Sequence, residues 1–421
     1  MDNLVDPPAE FNQRDRALAH SLIHGVIRWQ SFLDHIICQF SKTPFQKISL
    51  PVLNILRMGL FQLMLMDRIP EHAVVNTSVD LAKIFAKPYL TRFVNGLLRE
   101  VIRSKDFITW PDENQNFIEA LSVKQSYPKW LLKRWHHQWG KDITKALCKA
   151  GNEIPSIILR CNTLKKNRKQ LIDILTPEVR IISPTTHAPD GICISSPKHG
   201  LSTLKSFQDG MFQVQDEAAQ LIGLLVSPKP NETILDACAG RGGKTGHLAQ
   251  LMNNQGHILA VDRAMEKLNI LSAEMTRLGV SIVSTFKYRW KKPLDNKQFD
   301  RILIDAPCSG LGVIRRHPDM KWKKTESHIQ QNAQKQKQLL QSIAGHLKPH
   351  GRLVYVVCSL EPEETTEIIE NFLYHHENFT IEKHNHPILE PFMDKNGYFI
   401  SRPDKFSMDG FFAVCLTQNS D

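Results

Sequence analysis

No two cysteines of this chain are spaced as Cys-x-x-Cys, and its histidines complete no zinc-binding pattern. That removes the common structural-zinc and dithiol frameworks, and no metal is expected. Long apolar runs are missing as well. The most apolar window, Pro51 to Met66, is interrupted by Asn54, Arg57 and Gln62 and falls short of the roughly 20 residues that a membrane-spanning helix needs. It reads as a buried helix, and no membrane partner is expected. Nor does the chain open on a basic-then-apolar leader, since Met1 to Pro8 is acidic and proline-containing. A reducing cytoplasm is the expected location, with the eight cysteines free of disulfides. No internal repeat or low-complexity tract is present.

What is there reads as a multidomain globular chain. Its 421 residues exceed one typical domain and suggest two to four, with monomer as the default assembly. Hydrophobic residues make up 42% and charged residues 23%, an ordinary balance. The formal charge of +10 favours a polyanion such as nucleic acid as partner, a weak signal by itself.

Residues 1–125 are expected to be all helical. Leu18, Leu22 and Val26 recur at helical spacing, as do Leu53, Leu56, Leu60 and Met64, and Pro70 and Pro88 break the runs. Residues 126–225 are expected to form a small α+β connector. It would contain a basic amphipathic helix from Tyr127 to Trp135 and short strands at 157–160 and 192–194. Residues 226–421 alternate apolar runs (233–235, 257–261, 299–304, 352–357) with helical segments (245–251, 264–278, 326–346), which implies a parallel sheet with crossover helices. The fold class is thus an all-α N-terminal domain, an α+β connector and a Rossmann-like α/β domain. Polar and reactive residues follow the C-terminal ends of the apolar runs, where open α/β sheets bind ligands.

Three clusters sit there. The first, Asp236-Ala237-Cys238-Ala239-Gly240-Arg241-Gly242-Gly243-Lys244-Thr245, joins a strand to a helix. Its glycines permit a tight turn and close approach of a ligand, and the helix N-terminus favours an anionic group. Gly243-Lys244-Thr245 imitates the end of a phosphate-binding loop, but that rule requires glycine where Cys238 stands. Asp262, closing the next run, suits ribose hydroxyls; the plainer reading is a helix cap. The second cluster runs from Asp305-Ala306-Pro307-Cys308 into the basic stretch Arg315-Arg316-His317-Pro318-Asp319-Met320-Lys321-Trp322. Its cations suit phosphates and Trp322 a stacked base, against the alternative of a solvated face. The third is Cys358-Ser359-Leu360-Glu361-Pro362-Glu363-Glu364, in which Cys358 alone would pass for a buried structural cysteine.

Two cysteines at strand ends beside a nucleotide-type pocket suit one chemistry. Cytosine C5 is a poor nucleophile, but a thiolate adding at C6 makes it one, and loss of the C5 proton later expels the thiolate. Cys358, Cys308 and Asp305 supply the thiol, proton-handling group and carboxyl that this needs.

The runs ILDACAGRGGKT, AVD at 260–262, DAPCSGLGVIRRHPDMKW, VVCSLEPEE and Asp409-Gly410-Phe411-Phe412 resemble the RNA cytosine-C5 methyltransferases, specifically the bacterial Sun/Fmu type. MFQVQDEAAQ (211–220) is similar to the family's entry into its catalytic domain, and residues 14–103 to its NusB-like domain. The resemblance implies S-adenosylmethionine as cofactor and small-subunit ribosomal RNA as partner. It implies Cys358 as nucleophile, Cys308 as the thiol that assists release, and Cys238, Ala239, Gly240, Arg241, Gly242, Gly243, Lys244, Asp262 and Asp305 around the cofactor. Arg315, Arg316, Lys321 and Trp322 are then the candidate RNA contacts. Gly240-Arg241 stand where the family has Ala-Pro, and Tyr288-Arg289 where it has an acidic residue. Two other readings compete: an RNA-binding or assembly protein with a degenerate cofactor site, and a small-molecule methyltransferase. Cofactor affinity discriminates the first, and the long basic N-terminal half argues against the second.

Overall fold

A computed structural model describes residues 11–288, 297–383 and 386–418. The chain forms two compact units, one running to Glu153 and including His317–Lys323, the other comprising Ile154–Arg316 and the chain from Lys324.

The first unit is helical. Its helices are Gln13–Arg28, Gln30–Phe40, Leu50–Leu65, Glu71–Phe85, Leu90–Ser104, Phe117–Lys124 and Lys129–Asn152, the last kinked at Gly140, where φ is +76°. Asn12 caps the first by accepting from Arg14 and Asp15 N–H. The apolar stripe anticipated from Leu53, Leu56 and Leu60 packs with Leu33, Ile36, Val94 and Leu98 into one core. The basic helix expected from residue 127 starts at Lys129 and packs within this unit.

The second unit holds two sheets. Strands β1 (Ile157–Cys161), β2 (Val179–Pro184), β3 (Gly191–Pro197) and β4 (Phe212–Val214) form an antiparallel sheet in the order β2-β3-β1-β4. Strands β5 (Thr233–Asp236), β6 (His257–Asp262), β7 (Val283–Lys287), β8 (Phe299–Asp305), β9 (Leu347–Val357), β10 (Phe379–Ile381), β11 (Tyr398–Ser401) and β12 (Phe411–Gln418) form the larger one. Its order is β10-β12-β9-β8-β5-β6-β7, with β11 on β12. β5 to β9 pair in parallel, whereas β12 runs antiparallel to β9.

Alternate residues of each central strand enter different cores. Ile234, Ile258, Ala260 and Leu303 join one with the helices Glu217–Val226 and Gly243–Leu251. Leu235, Leu259, Ile302 and Ile304 join the other with the helices Glu326–Ala344 and Thr366–His375. Both faces are covered, which explains why these strands read as unbroken apolar runs. The order reverses at β5, so β6 lies on one side of it and β8 on the other, and a crevice for ligands opens at their C-terminal ends. Among the described residues no helix is long and apolar enough to cross a membrane.

Candidate functional site

The loop after β5 turns through Gly240 (φ +56°) and Gly242 (φ +85°) into the helix Gly243–Leu251. A side chain at Gly242 would need left-handed backbone and would meet Leu271 Cγ at 2.7 Å. At Gly240 and Gly243, by contrast, a Cβ would meet nothing closer than 4.0 Å, so space is open beside the loop. Asp262 stands at the end of β6. Its Oδ1 accepts from Ala264 N–H (2.8 Å), as a cap would, and its Oδ2 accepts from Gly240 N–H (3.1 Å). Each oxygen keeps a lone pair for a further donor. Tyr288, after β7, is buried and donates its N–H to Asp262 O (3.1 Å); Arg289 lies outside the described residues. Arg241 is exposed.

Beneath the loop, Asp236 is fully buried and accepts from Thr245 Oγ1 (2.7 Å). Burial, with Asp305 adding repulsion, pushes its carboxyl up to about 7. The Cys238 thiol is held well above its ordinary value by burial and by the Asp305, Asp236 and Asp262 carboxylates. The smaller sheet also reaches this loop. Arg160 of β1 is buried, donates to Gly243 O (2.8 Å), Gln213 Oε1 (2.8 Å) and Gln250 Oε1 (3.3 Å), and also contacts Gln215. Burial pushes its guanidinium down to about 9. This brace escaped the sequence reading; its trace is a charged residue in the apolar run Ile157-Ile158-Leu159-Arg160-Cys161.

Lys244 Nζ donates to Asp305 Oδ2 at 2.7 Å. Burial opposes the Lys244 charge, but Asp305 and, behind it, Cys358 and Asp236 outweigh it and hold the ammonium above its ordinary value. Across the same strand end, Cys308 Sγ and Cys358 Sγ lie 3.0 Å apart. The hydrogen bond to Cys358 and then burial hold the Cys308 thiol well above its ordinary range. The backbone joins the two cysteine loops too, because Gly312 N–H donates to Cys358 O (3.0 Å) and Gly410 N–H to Gly312 O (2.8 Å).

Glu364 ties the loops from below. Fully buried, it accepts from Ser309 N–H (2.7 Å), Ser309 Oγ (2.5 Å) and Gln336 Nε2 (3.3 Å). Nothing in the spacing of the acidic run Glu361-Pro362-Glu363-Glu364 singles out this carboxylate. On the other side stand four buried or half-buried charges. Arg315 Nε and Arg316 Nε donate to the two oxygens of Asp409 (2.6 and 2.8 Å), and both guanidinium groups also reach Asp216 Oδ2 (3.1 and 2.6 Å).

The expected RNA contacts have partners within the chain. Arg315 and Arg316 bind carboxylates of their own chain. Lys321 belongs to the helical unit, where it is fully buried, donates to Asn152 Oδ1 (2.6 Å), Arg28 O (3.2 Å) and Ser126 O (3.2 Å), and lies over the Tyr127 ring. Burial pushes its ammonium below the ordinary value, and with Nζ enclosed by these acceptors it offers a phosphate no access. Trp322 Nε1 donates to Ile27 O (2.7 Å). Every other expected site residue lies at the strand ends of β5, β6, β8 and β9 or in the loop that follows β5, where Arg241 faces solvent.

Comparison with known proteins agrees with this geometry. Residues 223–417 match the 16S rRNA methyltransferase RsmB/F family, residues 2–103 the NusB family, and residues 127–199 the ferredoxin-like domain of RsmF/B-like methyltransferases. The ribosomal RNA small subunit methyltransferase B of Proteus mirabilis is 33% identical over 410 residues, 97% of this chain and 92% of that protein. The crystal structure of PH0851 covers 98% of the chain, and the chain 92% of it, at 27% identity and a TM-score of 0.82. A methyltransferase homolog protein from Pyrococcus horikoshii covers 72%, and is itself covered to 99%, at 27% identity and a TM-score of 0.63. A methyl-donor nucleoside fits what is present: open space beside Gly240 and Gly243, a helix N-terminus, and the carboxylates of Asp262 and Asp305 at the ends of the two strands that flank β5. The chain belongs to the ribosomal RNA small subunit methyltransferase B family, with S-adenosylmethionine as its cofactor.

Proposed function

We propose that this chain methylates C5 of a cytosine in small-subunit ribosomal RNA through a covalent bond between Cys358 Sγ and C6. The observation that carries the reading is the pair of thiols 3.0 Å apart at neighbouring strand ends, beside the Lys244–Asp305 pair. S-adenosylmethionine, when bound, supplies an electrophilic methyl group; Gly240 to Lys244, Asp262 and Asp305 are the residues placed to hold it. The target base enters the crevice flipped out of its stack.

Cys358 acts as thiolate. Its lone pair forms the S–C6 bond, and the C5–C6 π pair moves toward C5, which takes the methyl group. The C5 proton then leaves to a base, the electrons restore the ring double bond, and the S–C6 bond breaks to regenerate the thiolate. Cys308 suits the assisting role because its Sγ lies 3.0 Å from Cys358 Sγ, beside the S–C6 bond that must break. The Asp305 carboxylate, held by Lys244, is positioned for the polar edge of the pyrimidine. The backbone bonds among Gly312, Cys358 and Gly410 hold both sulfurs in register, so the thiols approach one base together.

The test is methyl transfer from labelled S-adenosylmethionine to unmodified small-subunit ribosomal RNA. Wild type should label cytosine C5, Cys358→Ala should not, and Cys308→Ala should accumulate a covalent protein–RNA adduct on denaturing gels. Transfer that survives Cys358→Ala, or an adduct that persists in it, overturns the roles. RNA binding without transfer by wild type would favour an assembly protein instead.

A further inference from the structure

The helical unit carries a groove that the chemistry above does not use. It lies where the helix Glu71–Phe85 turns through Ala86–Tyr89 into the helix Leu90–Ser104, and it encloses about 590 Å³ between Lys47, Val52, Phe85, Lys87, Tyr89 and Phe93. Phe93 packs against the helical core, but the other two rings face solvent. Phe85 is 63% and Tyr89 66% exposed, with Ile84 and Leu50 exposed nearby at 71% and 64%. Among the described residues no carboxylate lines it, while Lys47 and Lys87 do. The same two helices form a second, polar groove of about 490 Å³ around Asn76, Lys83, Arg92 and Asn95, whose one carboxylate, Asp80, is paired with Lys83 at 2.8 Å. Leu90 and Phe93 line the first groove and Thr91 and Arg92 the second, so the first turn of one helix borders both.

Resting on the reading that the substrate is RNA, we propose that this face binds a single-stranded segment of that RNA, bases stacked on Phe85 and Tyr89 and phosphates beside Lys47 and Lys87. Solvent-facing rings alternating with cations match a chain that alternates planar bases with anions. A duplex does not suit it, because paired bases keep their faces covered. A protein partner would bury the rings equally well, but it would not explain two lysines without a carboxylate between them. The amides of Asn76 and Asn95 in the adjoining groove face the next nucleotides along such a track.

The experiment uses the full chain and a fluorescently labelled unstructured 12-nucleotide RNA, with binding followed by anisotropy over a salt series. Tyr89→Ala and Phe85→Ala should each weaken binding by roughly 5- to 150-fold, the effect of losing one base stack. Tyr89→Phe should restore it. Lys47→Glu and Lys87→Glu should each flatten the slope of log K against log salt by about 0.7. Both rings stand largely in solvent, so their removal leaves the fold intact, and matched thermal melts check this. Binding within twofold of wild type in both alanine variants overturns the proposal. So does equal affinity for a duplex of the same sequence, or loss of affinity for a protein partner while the oligonucleotide still binds. Methyl transfer separates the two readings. If wild type transfers no methyl group, yet Tyr89→Ala abolishes oligonucleotide binding, the groove stands and the methylation reading falls. If transfer proceeds and Tyr89→Ala leaves KM for RNA unchanged, the groove falls alone; a raised KM with a smaller change in kcat supports it.

Discussion

Asp409→Asn tests the four-charge cluster beside the cysteines. The Asp409 carboxylate has 3% of its side chain exposed and accepts from Arg315 Nε at 2.6 Å and Arg316 Nε at 2.8 Å. Replacing one oxygen by NH₂ turns one of these bonds into a donor facing a donor and leaves two guanidinium groups sharing Asp216. Removing one partner of a buried pair costs about 3–5 kcal/mol, mostly because the remaining charge is stranded without solvent. A chain of two units need not unfold in one step, so a single unfolding free energy is a poor measure. Hydrogen exchange of peptides spanning 308–316 and 407–418 reads the same quantity locally. A loss of 3–5 kcal/mol should accelerate exchange there by roughly 150- to 5,000-fold, if opening of this region is what exposes the amides. Adding Arg316→Gln should recover part of the loss, since the two positions are in contact. An acceleration below tenfold, or strict additivity of the two changes, would refute the idea that these charges hold the Cys308 loop against the strand that begins at Phe411.

Three further outcomes follow from the geometry. A Cβ at Gly312 would lie 2.0 Å from Gly410 O and 3.0 Å from Cys358 O, both backbone, so Gly312→Ala must spread the two cysteine loops. A displacement near 1 Å costs roughly a hundredfold in rate, so methyl transfer should fall far more than RNA affinity; equal loss of both contradicts the account. The Asp236 carboxyl is raised to about 7, so the folded protein keeps this proton where the unfolded chain has lost it. Stability from this group therefore falls as pH rises from its unfolded value near 3.8 through about 7. Wild type should lose about 2 kcal/mol more than Asp236→Asn between roughly pH 5.5 and 8.5, and parallel pH profiles would remove that inference. Finally, Lys321→Met strands three buried acceptors and should cost the helical unit about 3 kcal/mol in urea, read by the fluorescence of Trp29, Trp110, Trp130, Trp135 and Trp139. The salt dependence of RNA binding should not change. A flattening of the slope by about 0.7 would mean that Lys321 meets a phosphate after all.

Much of this protein is legible in its sequence because local rules dominate where they apply. Helical periodicity marks Leu53, Leu56 and Leu60 as one buried stripe, and apolar runs ending in Asp262, Asp305 and Cys358 mark parallel strands that present those groups at one edge. The Gly240–Gly243 loop is legible because only glycine tolerates its backbone at Gly242. The shared edge and the reacting residue types are thus set by pattern alone. What the pattern cannot show is which charged side chains meet. Arg315, Arg316, Lys321 and Trp322 form one basic run in sequence and look like a phosphate-binding face. In the fold the first two bind Asp216 and Asp409, roughly a hundred residues away on either side, and Lys321 is buried among Arg28, Ser126 and Asn152. Glu364 beneath the cysteines and Arg160 beneath the glycine loop are likewise tertiary facts. A charge is exposed or buried according to partners distant in sequence, and periodicity carries no information about those; an apolar stripe declares its burial by itself.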